Sequence, residues 1–361
     1  MTTMSNLIVP TSRTSGTDAD EAMTGKRSRI DYLDLQRCLG ADVIDFSVYE
    51  NGWRTVAKRP DRLMRLAWGQ ALYAVQHWRD YDMVLSMSED IGLPLAFLLR
   101  LQGIKPRHYM IAHNLLSHRK RPVVRALNVL KTFHGIIVLS SEAVEGIAKT
   151  YGVPRQRVVF MRDAVDERFW HPLGDIAVEE SLILSVGRAR RDYPTLFRAV
   201  EGLPLCLRIQ ANSQWFIPYG NKNLKPPPNV SLGGYLSFME LRELYARAAF
   251  VVTVLEPGAH HSAGTVSVKE AMAMGKAVVV ASDGGMQDYV REGETGFVVP
   301  TGNPSALRAA IQRLLADPAE AIQMGRCARE LVEREMSYER RIGLLARLCM
   351  GEALERVDVG R

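Results

Sequence analysis

Residues 262–285 read SAGTVSVKEAMAMGKAVVVASDGG, and these residue types at this spacing are chemistry for holding a nucleotide diphosphate. A loop of small residues, Ser262, Ala263, Gly264 and Thr265, leads through Val266 into a short helix-like segment whose one acid is Glu270. A Gly-Lys turn, an apolar strand over 277–281 and a Ser-Asp-Gly-Gly loop follow. The first N–H groups of a helix have no carbonyl one turn behind them, and the helix dipole adds positive character there. Phosphate oxygens are drawn to such a place. A glutamate one or two turns further on can accept hydrogen bonds from ribose hydroxyls. For the loop the alternative is a plain turn, which glycine also suits.

Strands and helices must hold that loop in place. In the first half, strands are expected at 6–9, 43–48, 83–87, 108–112, 136–139 and 158–161, with helices at 62–79 and 142–151. The alternation restarts with strands at 182–186, 205–210, 250–255, 277–281 and 297–300 and helices at 194–200, 238–248 and 303–316, the last opened by Asn-Pro. Residues 221–229, with three consecutive prolines, are expected as a loop. Strand–helix alternation with short loops implies parallel strands covered on both faces, an α/β fold. Ligands of such sheets meet the carboxyl ends of the strands. The boundary is expected near 170–175. That gives an acceptor-side domain over 1–170, a donor-side domain over 171–339, and a last helix over 340–361 packing back on the first.

With 361 residues the chain is long enough for two cores, and 47% hydrophobic and 24% charged residues are globular values. No apolar run reaches the roughly 18 residues of a membrane span. The opening MTTMSNLIVPTSRTSG lacks the basic start and long apolar stretch of a signal peptide. The four scattered cysteines, Cys38, Cys206, Cys327 and Cys349, have no metal-type spacing and read as reduced thiols of a cytoplasmic protein. A net charge of +6 favours anionic ligands or membrane surfaces, weakly.

Five pieces of the chain, RVVFMRDAVDERFWHP, ILSVGRARRDYPTLFRAV, GGYLSFMELRELYARAAFVVTVLEP, VKEAMAMGKAVVVASDGGMQDYV and EGETGFVVPTGNPSALRAAI, resemble in order and spacing those of glycosyltransferase family 4. The resemblance covers most of the chain and is strongest over 182–332. It implies the GT-B fold, two Rossmann-like doubly wound domains facing across a cleft. It further implies transfer of a sugar from a nucleotide diphosphate, UDP- or GDP-linked, with retention of configuration and with neither metal nor other cofactor. Breaking the sugar–phosphate bond builds negative charge on the leaving diphosphate. Without a metal the protein must aim cations and N–H donors at it.

What the resemblance implies for single residues starts with the cations, Arg188 and Arg191, after Gly187. The loop is about two residues shorter than in the family and has arginine where lysine is usual. Arginine can grip two phosphate oxygens at once. Whether Arg190 or Arg191 reaches the phosphate stays open, and a solvated basic turn is the alternative. Glu270 matches the second glutamate of the family's E-x7-E motif, assigned to the ribose hydroxyls. The first falls on Ser262, which can hydrogen-bond a sugar hydroxyl but carries no charge; His260 and His261 beside it either take part or are ordinary loop residues. His113, at a strand end in YMIAHNLLSH, is similar to the family's histidine beside the reacting sugar. Its implied role is to position the sugar and steady charge, because the departing phosphate can take the acceptor's proton. Gly16, in the loop after the first strand, and Glu89 and Asp90 lie on the acceptor side; either acid could hydrogen-bond an acceptor hydroxyl, but capping the next helix is the favoured reading.

His118, Arg119, Lys120, Arg121, Arg125 and Lys131, interleaved with valine and leucine, suit peripheral contact with anionic lipid on the inner face of a membrane. An ordinary amphipathic helix is the alternative. No nucleic-acid module is recognisable. The expected partners are therefore a nucleotide-sugar and a glycan, glycolipid or lipid-linked acceptor. Two other readings remain: a non-catalytic nucleotide-sugar-binding relative, motivated by Ser262, and a nucleotide-sugar epimerase.

Overall fold

The computed structural model describes residues 5–49, 66–187, 190–210, 225–259 and 262–352. In chain order the first elements are β1 (Asn6–Val9), α1 (Gly16–Met23), α2 (Asp31–Leu39), β2 (Asp42–Val43), α3 (Trp68–Gln76), β3 (Met83–Ser86), α4 (Glu89–Leu101), β4 (Arg107–Ala112), α5 (Arg121–Leu127), β5 (Gly135–Val138), α6 (Ser141–Tyr151) and β6 (Val158–Phe160). They are followed by β7 (Glu179–Val186), α7 (Tyr193–Val200), β8 (Cys206–Gln210), β9 (Val230–Gly233), α8 (Phe238–Arg247), β10 (Ala248–Val254), α9 (Thr265–Ala273), β11 (Val278–Ala281), β12 (Gly296–Val299), α10 (Pro304–Ala316), α11 (Pro318–Glu335) and α12 (Tyr338–Cys349).

Internal contacts group the chain into two compact units. One comprises Met1–Asp20, Ile30–Arg162 and Glu339–Arg361; the other comprises Glu21–Arg29 and Asp163–Tyr338. Each unit carries a six-stranded parallel sheet, in the orders β2-β1-β3-β4-β5-β6 and β12-β11-β10-β7-β8-β9. Parallel strands buried on both faces read as continuous apolar runs, and β11, Val-Val-Val-Ala, is buried throughout. Successive residues feed opposite cores. Leu184, Val251, Val278 and Val280 join one apolar cluster of the second unit, while Ile183, Val252, Val279 and Ala281 join the other. Helices therefore cover both faces, and the architecture is the doubly wound α/β class.

Two local expectations change. The run 43–48 is not a strand: β2 ends at Val43, and Phe46–Tyr49 forms a 3-10 turn. The Asp45 carboxylate accepts the Ser47 N–H at 2.9 Å and so favours the turn over an extended ladder. The expected helix over 62–79 is observed as α3, and 62–65 lie outside the described residues. β9, a four-residue edge strand just after the triple proline, was hidden by that loop signal.

Candidate functional site

In the second unit the chain runs from β7 outward to β8 and β9, then returns to β10 on the other side of β7 and continues to β11 and β12. The strand order reverses between β7 and β10. A crevice opens at such a switch point, beyond the carboxyl ends of the strands. The loop after β7 and the loop after β10 both lie there, and they are joined. Arg191 bridges Leu255 backbone to backbone, the Glu256 N–H donates to the Arg190 carbonyl at 3.0 Å, and the Asp192 N–H donates to the Val254 carbonyl at 3.2 Å.

Gly187 leaves β7 at φ 115°, and a Cβ there would collide with the Arg191 guanidinium. Only glycine lets the arginine fold back beneath the strand end. Arg191 is 7% exposed; its Nη2 donates to the Val186 carbonyl at 3.3 Å and the Ser267 hydroxyl at 3.2 Å. Burial lowers its pKa, with Tyr193 and Tyr245 opposing. Tyr193, which opens α7, donates its hydroxyl to the Gly187 carbonyl. Arg190 turns elsewhere: it pairs with Glu256 at 3.0 Å and donates to the Gly258 carbonyl at 3.1 Å, so a carboxylate already answers its charge. Arg188 and the histidines 260 and 261 lie outside the described residues.

α9 follows β10. Gly264 caps it at φ 80°, and the first intrahelical bond runs from the Val268 N–H to the Gly264 carbonyl at 3.2 Å. The N–H groups of Thr265, Val266 and Ser267 precede that bond. Ala263 and Thr265 are buried and Val266 is exposed, so the loop packs inward while its helix start stays open at Val266. Thr265 Oγ1 donates to the Ser262 carbonyl at 3.1 Å, closing the turn on itself. Ser267 Oγ donates to the Gly264 carbonyl at 3.1 Å and accepts from Arg191, placing a cation directly under the first helical turn.

Glu270 stands one turn beyond Ser267 on the same helix face. The Tyr245 hydroxyl, from α8, donates to Glu270 Oε2 at 3.1 Å and lies 3.4 Å from the Ser267 carbonyl. α8 is fixed at its start by a reciprocal cap, in which Ser237 Oγ accepts the Glu240 N–H and Glu240 accepts the Ser237 N–H. Burial raises the Glu270 pKa to about 7, against Tyr245 and Lys269, which lower it. Asp283, after β11, accepts the N–H and hydroxyl of Thr301, which hold its pKa down, and so ties a third strand-end loop. Tyr245 and Ser267 carried no sequence signal: each looked like an ordinary helix residue, and their bonds to Glu270 and Arg191 come from contacts across the fold.

In the first unit Gly16, Glu89, Asp90 and His113 follow β1, β3 and β4, which are neighbours in the sheet, so all four lie at its carboxyl end. Gly16 opens α1. Glu89 is 1% exposed and takes the N–H groups of His113 and Asn114 at 2.8 and 3.0 Å and the Lys120 ammonium at 2.6 Å. Burial alone would raise its pKa; Lys120, His113 and these bonds outweigh burial and lower it. Glu89 thus shapes the turn that presents His113, and its carboxylate is already filled by donors. His113 is exposed, with Nε2 3.3 Å from the Met87 carbonyl.

The basic run is not one cationic surface. Arg119 is exposed and Arg121, with Nε donating to the Leu116 carbonyl at 3.1 Å, keeps its charge, but Lys120 pairs with Glu89 and Asp90, both at 2.6 Å. Lys120 is therefore removed from the expected membrane patch. Among the described residues no helix is long and apolar enough to cross a membrane.

Residues 183–317, which contain this switch-point site, match the family of glycosyl transferases group 1. This segment of the chain is therefore similar to that family. A D-inositol 3-phosphate glycosyltransferase from Streptomyces avermitilis is 38% identical over 264 residues, covering 66% of this chain and 56% of the relative. The chain spans about half the length of the curated relatives it matches. Among solved structures, sucrose-phosphate synthase from Thermosynechococcus elongatus is similar at a TM-score of 0.69 and 18% identity, over 95% of this chain and 98% of that one. HepE from Anabaena, in complex with UDP-glucose, is similar at 0.68 and 15%, over 96% and 99%. The fold shared with these structures is GT-B, built from two Rossmann-like sheets.

Proposed function

We propose that this protein is a glycosyltransferase of group 1, retaining and metal-independent, that moves a sugar from a nucleotide diphosphate to a glycan, glycolipid or lipid-linked acceptor. The observation that carries the reading is the convergence at the β7–β10 switch point of a buried arginine, an open helix start and a glutamate one turn further on. In this reading the N–H groups of 265–267 hold the diphosphate, Arg191 supports them from beneath, and Glu270 takes the ribose hydroxyls. Negative charge growing on the leaving diphosphate then meets dipoles already oriented toward it. Arg188 is proposed as the second cation from its place in the sequence. His113 is proposed to face the transferred sugar. HepE was crystallised with UDP-glucose, which makes UDP-glucose the first donor to try.

Ser262 supports a second reading, a nucleotide-sugar-binding protein without transfer, since a neutral hydroxyl replaces a charged contact to the donor sugar. One pair of measurements separates the two. Calorimetry with UDP and UDP-glucose should show saturable binding, and Glu270→Ala should weaken it about tenfold or more, the scale of a lost charge-assisted hydrogen bond. Release of UDP from UDP-glucose in the presence of chelator and an acceptor panel should follow for a transferase. Binding with no release across the panel supports the second reading. Unchanged affinity in Glu270→Ala counts against the assigned pocket in both.

A further inference from the structure

A separate cavity of about 360 Å³ opens in the first unit at the amino-terminal end of its sheet. Ala96, Leu99 and Arg100 come from the last turns of α4, and the other lining residues immediately precede or begin β4, β5 and β6, so it lies at the opposite end of the strands from Gly16, Glu89 and His113. The floor is apolar: Ala96, Leu99 and Phe133 are each at most 3% exposed. The rim is cationic, with Arg100, Lys105, Lys131 and Arg157 all exposed, and no lining residue is acidic. Arg157 is held by the Lys131 carbonyl at 2.7 Å and Arg100 by the Asn128 carbonyl at 2.9 Å, and carbonyls fix a guanidinium without cancelling its charge. Among the described residues Lys105 and Lys131 pair with no carboxylate. His134, also on the rim, has its pKa lowered by burial and by Arg157 and Arg107, an independent sign of positive potential.

One polar side chain is built into the floor. His108 is 3% exposed, packs its ring on Phe133 at 4.5 Å, and sets Nε2 2.8 Å from the Ser86 hydroxyl. Nδ1 makes no hydrogen bond to any described residue. If the Ser86 hydroxyl donates to Nε2, the neutral ring carries its proton on Nδ1 and has a donor left for a ligand.

We propose that this pocket is a second ligand site, which takes a small organic anion: a phosphate or carboxylate held by Lys105, Lys131 and Arg157, with an aryl or branched alkyl body on the Leu99–Phe133–His108 floor. The volume, near the lower end of small-molecule pockets, admits about one bicyclic ring plus the charged group. Charge complementarity selects an anion, and the apolar floor favours one that is not a bare ion.

The test is titration calorimetry of the full chain with 1-naphthyl phosphate under saturating UDP, which keeps any nucleotide site out of the reading. Saturable one-site binding is expected. Neutral 1-naphthol and inorganic phosphate should each bind at least tenfold more weakly. The double charge reversal Lys105→Glu/Lys131→Glu should weaken naphthyl phosphate at least tenfold; both side chains are exposed, and unchanged circular dichroism and melting temperature would establish that the variant folds. Absence of saturable binding overturns the proposal, as does binding indifferent to the reversal or inorganic phosphate bound as tightly as the aryl phosphate. Sedimentation with phosphatidylglycerol vesicles that depends on the two lysines, with no naphthyl phosphate binding, would overturn it in favour of a lipid surface.

Discussion

Glu270 can accept two ribose hydroxyls only as a carboxylate. Burial raises its pKa to about 7, so the proton returns as pH falls through neutrality and one acceptor oxygen becomes a donor. UDP affinity is expected to be flat above about pH 8 and to weaken by up to about tenfold per pH unit below 7, the limit for one coupled proton. In Glu270→Gln the same pH series should be flat and weak throughout. Tyr245 supplies the opposing influence, because its hydroxyl bond stabilises the carboxylate. Tyr245→Phe should therefore move the midpoint of the binding profile upward, with a stability loss of about 1 kcal/mol for the lost bond. A midpoint that stays put or falls would show that Tyr245 is only packing. The glutamate itself was legible, because the small-residue loop, the acid and the following strand form one local string. Tyr245 was not, since it lies 25 residues away and its helix pattern signals burial alone. Arg191 was legible as a cation, but its fold-back beneath Gly187 depends on a backbone angle that composition does not encode.

At the scale of the element, the candidate site depends on two glycines, Gly187 at the end of β7 and Gly264 at the start of α9. Gly264 begins α9 at φ 80°, and an added Cβ would lie 3.1 Å from Leu255 Cδ2 and 3.2 Å from Thr253 Cγ2. Gly264→Ala combines left-handed strain of about 1–2 kcal/mol with a tight contact. The expected result is a lowered melting temperature together with weaker UDP binding, since relief of the strain must rotate the N–H groups of 265–267. A melting shift with unchanged affinity would separate the helix start from the phosphate site. Most elements could be read in advance where apolar runs fill a parallel sheet from both sides, as in β5, β7, β10 and β11. The exceptions are short edges. β2 and β9 bury too little to leave a pattern, and local hydrogen bonding by Asp45 decided the segment after β2.

The whole molecule was legible as two sheets because strand–helix alternation restarts at 182, while the sheet orders came only with the structure. What pattern alone could not supply is that Glu21–Arg29 group with the second unit; the last helix was already expected with the first. From Glu339 onward the contacts belong to the first unit, although the preceding residues belong to the second. α12 buries Ile342, Leu345 and Leu348, and Arg341, 7% exposed, donates to the Arg162 carbonyl at 3.4 Å. The Cys349 thiol is pushed up to about 12 by burial, with Arg107 of β4 opposing, which sets the end of α12 beside the strand that leads to His113. Three buried aliphatic side chains contribute ~1.5–3 kcal/mol each, comparable to the ~5–15 kcal/mol that holds a whole domain. Truncation after 338 should therefore cost slow amide exchange in β4, β5 and β6 while protection persists in β7, β10 and β11. Exchange measured by mass spectrometry on peptides from each sheet decides the matter. Equal loss in both sheets would mean that the two cores unfold as one cooperative body, and no loss in either would mean that the last helix adds nothing to the first.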